Sequence, residues 1–406
     1  MMAMFRRVRR YLVNGEATGA WRLKHAAKGA AALQRPPTRP GKRWDSRKGA
    51  ISLFAILLVL LLVLAGCAGS DVGSDSQRNM ATLPYSIEVS SIREFQMPHP
   101  QSGLMRPAID ASGNIWFGEM LGNRLGMLDP HTGKVTEWTP PHADYGIMGI
   151  VADTQHHIWF AEQNAGYIGE FLPATGAFQT YPTPPRTDNG PSGPQDLAFD
   201  QHGNLWFTEL SADRIGRLDV ATHQLREYPV PDAGPDKIVG PYGLAIDRQG
   251  YVWFTELSGG KIVRLDPATG AMQSYSPPTA NVSMMEIVVA PDGSIWFAEF
   301  EAGRLGRLDP TTGAIQEYAV PAIVSGSDAA GVYGLAVGPK GTIWFTDLGD
   351  NAIGQFQPVS KQFTFYPIPT AQSAPYGLVF DSANNVWFTE GSNSANAVGM
   401  LPEPTA

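Results

Sequence analysis

Trp-Phe occurs seven times between residues 116 and 388, at Trp116, Trp159, Trp206, Trp253, Trp296, Trp344 and Trp387, so successive tryptophans lie 43, 47, 47, 43, 48 and 43 residues apart. A period of about 40–50 residues with four short apolar runs per period is the spacing of a β-propeller blade. One unit shows the runs in order: Pro241 to Asp247, Tyr251 to Glu256, Lys261 to Asp266 and Met272 to Pro278, each separated by turn residues. Four such runs make an antiparallel meander. The turn from Asp266 to Gly270 recurs at Asp129 to Gly133 and Asp309 to Gly313, with Pro where φ is near −65° and Gly where a left-handed residue closes the hairpin.

Ile115, Trp116 and Phe117 are consecutive, so both faces of that strand must be covered, which radially stacked blades achieve. The seven tryptophans are therefore expected in the core. The chain ends shortly after Leu401, before a fourth strand for the last blade. An unattached run from Ile92 to Pro98 matches the fourth-strand pattern of Leu225 to Pro231. The expected fold is all-β: a seven-bladed β-propeller over residues 92–401, closed by its N-terminal strand, with no open edge.

The flanking chain is different in kind. Residues 1–50 carry 13 Lys and Arg against Glu16 and Asp45, a charge of +11, which leaves −19 on the remainder of a chain whose total is −8. An acidic propeller excludes nucleic acid as a partner. Residues 51–67 have no charge and end in Leu64-Ala-Gly-Cys67, the pattern of an export segment with a lipobox. Cys67 is the only cysteine, so it forms no disulfide within the chain and is the expected lipidation site, with a retained transmembrane segment over 51–67 as the alternative. The basic residues 1–50 are expected to be disordered and cytoplasmic, residues 68–91 a linker, and the propeller a monomer on the extracytoplasmic side.

Strand direction sorts candidate residues by face. The ends of the Trp-Phe strands and the starts of the Pro-Tyr-Gly strands share one face, here called upper; the first and third hairpins share the lower. His131, His156, His157, His202 and His223 fall on the lower face, and only His99 and His142, between blades, reach the upper one. His142 is the weak candidate for a general base. Carboxylates recur at Glu119, Glu162, Glu209, Glu256, Glu299, Asp347 and Glu390, expected to bond backbone amides or Arg124, Arg214, Lys261 and Arg304. The channel mouth reads Pro107, Met148, Gln195, Tyr242, Met285, Tyr333 and Tyr376, with Arg106 nearby and Asp196 and Glu286 where a small residue usually follows. Three tyrosines, two methionines, a glutamine and Arg106 suit an amphipathic or peptide-like ligand.

Pro-Tyr-Gly-Leu, Trp-Phe-Thr-Glu, Arg-Ile-Gly-Arg-Leu and Arg-Glu-Tyr-Pro-Val-Pro, recurring over about residues 92–401, resemble the streptogramin B lyase (virginiamycin B lyase) family of seven-bladed propellers. The resemblance implies a magnesium-dependent elimination that opens a cyclic depsipeptide, with a histidine base in a last-blade Pro-His-Gly segment preceded by a glutamate, a second histidine one blade earlier and a first-blade tyrosine. Here the matching segments hold Tyr376, Tyr333 and Arg106-Pro107, so both histidines, that glutamate and that tyrosine are absent; Glu390 lies near the family's last-blade metal carboxylate. The expectation is a surface-tethered, lyase-like propeller that has lost the histidine chemistry. The alternative is an active carbon–oxygen lyase using a base such as His142 and carboxylate-held Mg²⁺. A lactonase-like hydrolase and a protein-interaction scaffold are weaker readings.

Overall fold

The computed structural model describes residues 85–89, 91–141, 146–231, 238–280, 282–324 and 331–403. Cys67, the export segment, the basic N-terminus and His142 lie outside the described residues.

The described strands form seven sheets, six of four strands and one of five. Each is an antiparallel meander except at two places where the N-terminal chain joins. Strand β1 is Tyr85–Ile87 and β2 is Arg93–Gln96. β2 pairs antiparallel with Ala397–Leu401, register Phe95↔Val398, and supplies the fourth strand of blade 7. The ring is thus closed by hydrogen bonds between residues about 300 positions apart, as the motif match predicts.

Packing repeats with the sequence. All seven Trp of the Trp-Phe pairs are at most 3% exposed. Each indole lies over an aromatic ring of its own fourth strand: Trp138, Tyr181, Tyr228, Tyr275, Tyr318, Tyr366 and, in blade 7, Phe95, with centroids 5.4–5.7 Å apart. Phe95 thus does for the closing strand what a tyrosine does elsewhere. In six blades the Phe of the pair lies over a glycine of the third strand, where a Cβ, as at Gly216 beside the Phe207 ring, would stand 2.1 Å away; blade 4 has Val263 opposite Phe254.

β1 is not anticipated by the repeat. It pairs parallel with Gln362–Pro367, the fourth strand of blade 6, register Ser86↔Thr364, and makes that sheet five-stranded. A break in the pattern explains it. The fourth-strand residue opposite the third-strand glycine or valine is Glu137, Thr180, Glu227, Ser274, Glu317 and Glu94 in the other blades, but Phe365 in blade 6. Phe365 is fully buried, with Tyr85 edge-on at 5.8 Å. Deleting β1 uncovers this ring, so a chain starting at residue 91 is expected to lose about 1.5–3 kcal/mol. Phe365→Glu in that shortened chain, which places there the residue of blades 1, 3, 5 and 7, should recover part of this loss, with melting temperature as the readout.

Candidate functional site

Every inner strand carries a register shift between its first and fourth residues, as between Pro241 and Leu244 or between Leu104 and Pro107. One extra residue on the inner strand is a β-bulge, which turns two consecutive side chains toward the axis. The first of the two is the twelfth residue before the Phe of each pair: Met105, Met148, Gln195, Tyr242, Met285, Tyr333 and Tyr376. Blade 1 therefore presents Met105 at the mouth. Pro107, expected there, pairs opposite Phe117 at the position of Leu244 and lies deeper. The proline drew the sequence alignment two residues out of register.

In blades 3, 4 and 6 a threonine hydroxyl holds the bulge. Thr208, Thr255 and Thr346 donate to the carbonyls of Tyr242, Met285 and Tyr376 in the next blade, at 2.8, 2.5 and 2.9 Å. The same oxygens accept the bulge amides of Asp196, Gly243 and Gly334 at 3.1, 2.9 and 2.8 Å. The third residue of Trp-Phe-Thr-Glu thus stitches blade to blade.

The second inward position reads Arg106, Gly149, Asp196, Gly243, Glu286, Gly334 and Gly377 around the ring. Large residues in blades 1, 3 and 5 each follow a glycine in the preceding blade. A Cβ at Gly377, Gly149 or Gly243 would stand 2.9–3.0 Å from the Cα of Arg106, Asp196 or Glu286, so the glycines make room for those strands. The three charged side chains meet on the axis. Arg106 Nη1 pairs with Asp196 Oδ1, and Arg106 Nη2 lies 2.5 Å from Glu286 Oε2. Asp196 also accepts the amides of Leu197 and Leu244, both at 2.8 Å. The two carboxylates are 3% exposed, whereas 26% of the arginine side chain remains open. Burial works against the charge on Arg106, but Asp196 and Glu286 outweigh it and hold the guanidinium protonated above its usual range. Burial pushes Glu286 up to about 8 despite Arg106.

Aromatic rings stand beside this triad. Tyr242 and Tyr333, from blades 4 and 6, bond hydroxyl to hydroxyl, and Tyr376 lies edge-on to Tyr333 at 5.1 Å. Burial raises all three phenols, Tyr376 to about 12, which removes them as bases near neutrality. Gln195 accepts from the Gln163 amide, and Met148 and Met285 complete an apolar wall with Leu210 and Leu257. Arg106, Gln195, Tyr242, Met285, Tyr333 and Tyr376 are thus brought together around the axis. Their types were legible; that Arg106 bridges Asp196 and Glu286 was not.

The described histidines are elsewhere. His99 is exposed on the rim against Glu137. His157 contacts Asp153 and Glu170, and His223 packs on Tyr181, both in lower-face hairpins.

The repeating carboxylates form a separate buried ring, each with no exposure. Arg124 lies 2.5 Å from Glu119 and Arg214 3.3 Å from Glu209, but Arg304 contacts Glu317 at 3.6 Å, and the residues opposite Glu162, Asp347 and Glu390 are Tyr167, Ala352 and Ala397. Cation pairing is therefore not the rule for the whole ring. Asp347 is held instead by the amides of Gly331, Gly349 and Asp350 at 3.0–3.1 Å. Burial pushes Glu119 to about 7 and Glu162, Glu209, Glu299 and Glu390 to about 8. Such acids bind a proton more tightly folded than unfolded, so their stabilisation is complete below about pH 4.5 and is lost as pH rises through about 8. The melting temperature at about pH 5.5 should exceed that at about pH 8.5 by about 5 °C or more, measured by calorimetry.

Among the described residues no three His, Cys, Asp or Glu side chains converge as a metal site. Glu390, the candidate magnesium ligand, is enclosed opposite Ala397 and held protonated by burial. The residues described do not fit that ion.

Comparison with known proteins agrees with this architecture. No curated protein matches the sequence significantly. A streptogramin B lyase structure is similar at 31% identity and a TM-score of 0.68, covering 76% of this chain and 96% of that one. Virginiamycin B lyase from Staphylococcus aureus is similar at 25% identity and 0.69, over 77% and 99% of the two chains. A propeller described as YCF48 bound to D1 peptide shares the fold at 13% identity and 0.61. The profile of the virginiamycin B lyase family matches residues 90–239 and 235–404. With both halves of the propeller matched, the chain belongs to the virginiamycin B lyase family.

Proposed function

We propose that this propeller binds a small amphipathic, peptide-like ligand at its upper mouth and that histidine-based elimination is not its chemistry. The observation that carries the reading is the exchange at the axis. Where the family resemblance implies histidines, this chain has Tyr333 and Tyr376, beside an arginine locked between Asp196 and Glu286. A guanidinium already facing two carboxyls does not favour an anion; its open edge suits a neutral carbonyl, and the tyrosines and methionines suit apolar side chains. The similar staphylococcal protein has been seen as a catalytically inactive form with Quinupristin, a ligand of this kind.

The propeller is held outside the cytoplasm through Cys67 or residues 51–67 in this reading.

Calorimetric titration of residues 68–406 with quinupristin tests the binding. The expected result is one site, weakened about tenfold by Tyr333→Ala or Tyr376→Ala. No heat of binding, or binding indifferent to both substitutions, would overturn the reading.

A further inference from the structure

Five blades carry an aspartate six residues before the tryptophan of the pair: Asp110, Asp153, Asp200, Asp247 and Asp381. Each accepts the indole N–H at 2.8–3.0 Å. Blades 5 and 6 have Ala290 and Gly338 instead. The indole protons go to Ser294 Oγ at 3.1 Å and Thr342 Oγ1 at 3.0 Å, so the hairpins keep their hydrogen bonds without the carboxylates.

What changes is space and charge. Between these two hairpins and the turn at 357–359 lies a cavity of about 590 Å³, lined by Ala290, Asp292, Arg307, Tyr318, Lys340 and Val359 among others. A second cavity of about 470 Å³ flanks the same blade 5 hairpin on the blade 4 side and shares Asp292 and Arg307. Both are in the size range of small-ligand sites. Arg307 bonds Asp292 at 3.0 Å, and Lys340 makes no ion pair among the described residues. The larger cavity thus sets two cations against one carboxylate, on a chain that carries −19 beyond residue 50. Apart from Gln357, its remaining wall is largely apolar, with Pro291, Pro358 and Val359, the last 91% exposed.

We propose that the lower-face cavity between blades 5 and 6 is a second ligand site, taking a small carboxylate carried on a ring. The carboxylate sits between Arg307 and Lys340, and the ring lies against Tyr318, Pro358 and Val359. A charged head with three donors and a guanidinium fork fit a carboxylate, and an exposed apolar wall fits a compact ring body. The loss of the repeat aspartate opens the site and removes the charge that would repel the ligand. This site is independent of the upper mouth.

The test is saturation-transfer NMR on the full-length protein with benzoate and glucuronate, against benzamide and glucose as neutral counterparts. Ala290→Asp rebuilds the carboxylate that five other blades carry, so it is expected to fold, and Lys340→Glu reverses the unpaired charge at an exposed turn. The expected result is transfer to at least one acid, reduced about fivefold or more by either substitution, with little transfer to the neutral molecules. Response to benzoate alone identifies an apolar ring, and response to glucuronate a sugar. Equal response to acid and neutral counterpart, persistence in both variants, or no response to either acid would overturn the proposal.

Discussion

Arg106→Met is expected to destabilise the propeller by about 3 kcal/mol, at the low end for breaking a buried pair because a quarter of the arginine side chain is open. The substitution removes little volume but leaves Asp196 and Glu286 facing each other on the axis without a cation. The loss should be steeper in alkaline than in acid solution, since raising the pH through about 8 ionises Glu286. Arg106→Met combined with Asp196→Asn should recover part of the stability, because the asparagine removes the unpaired charge, although its one carbonyl oxygen can accept only one of the Leu197 and Leu244 amides that the two carboxylate oxygens accept now. Chemical denaturation at two pH values measures all three effects. Equal stability of Arg106→Met and the parent at both pH values would mean that the triad is not a structural bolt.

A chain begun after Gln96 is expected to fail more severely. It lacks the partner of Ala397–Leu401, so blade 7 presents an unpaired edge of buried residues, and it lacks the Phe95 ring over Trp387. The predicted outcome is aggregation on size exclusion and loss of a cooperative melt. A chain begun at residue 91, which keeps β2 but not β1, should stay monomeric and melt cooperatively at a lower temperature. If both truncations melt alike, closure by β2 contributes no more than the β1 cover on blade 6.

How much of this was legible depends on whether the information was local. The Trp-Phe spacing set blade number and strand order, and the likeness of Ile92–Pro98 to a fourth strand located the closing strand, because hairpin meanders are encoded by short-range pattern. The fifth strand of blade 6 was missed, although its mark was in plain view as Phe365 where other blades put Glu, Thr or Ser. Met105 was missed because Arg106-Pro107-Ala108 was set against Pro-Tyr-Gly, two residues too far along; counting back from Phe117 would have found it. Arg106, Asp196 and Glu286 were each visible as departures from the repeat. Their union was not, since blades 1, 3 and 5 meet only at the axis, and contact between non-neighbouring blades has no signature in a repeat. The carboxylate ring is expected from its sequence to bond backbone amides or cations; Asp347 takes amides, whereas Glu162 and Glu390 face Tyr167 and Ala397 and are pushed by burial toward the protonated form.

Binding at the mouth without histidine elimination is the proposed behaviour of a family member with this axis. The most direct measurement is to incubate residues 68–406 with a type B streptogramin and Mg²⁺, with and without EDTA, and to follow chromatographic retention and mass together. The account predicts no change in either over hours. A retention shift at unchanged mass that disappears with EDTA would mean elimination, and would contradict it.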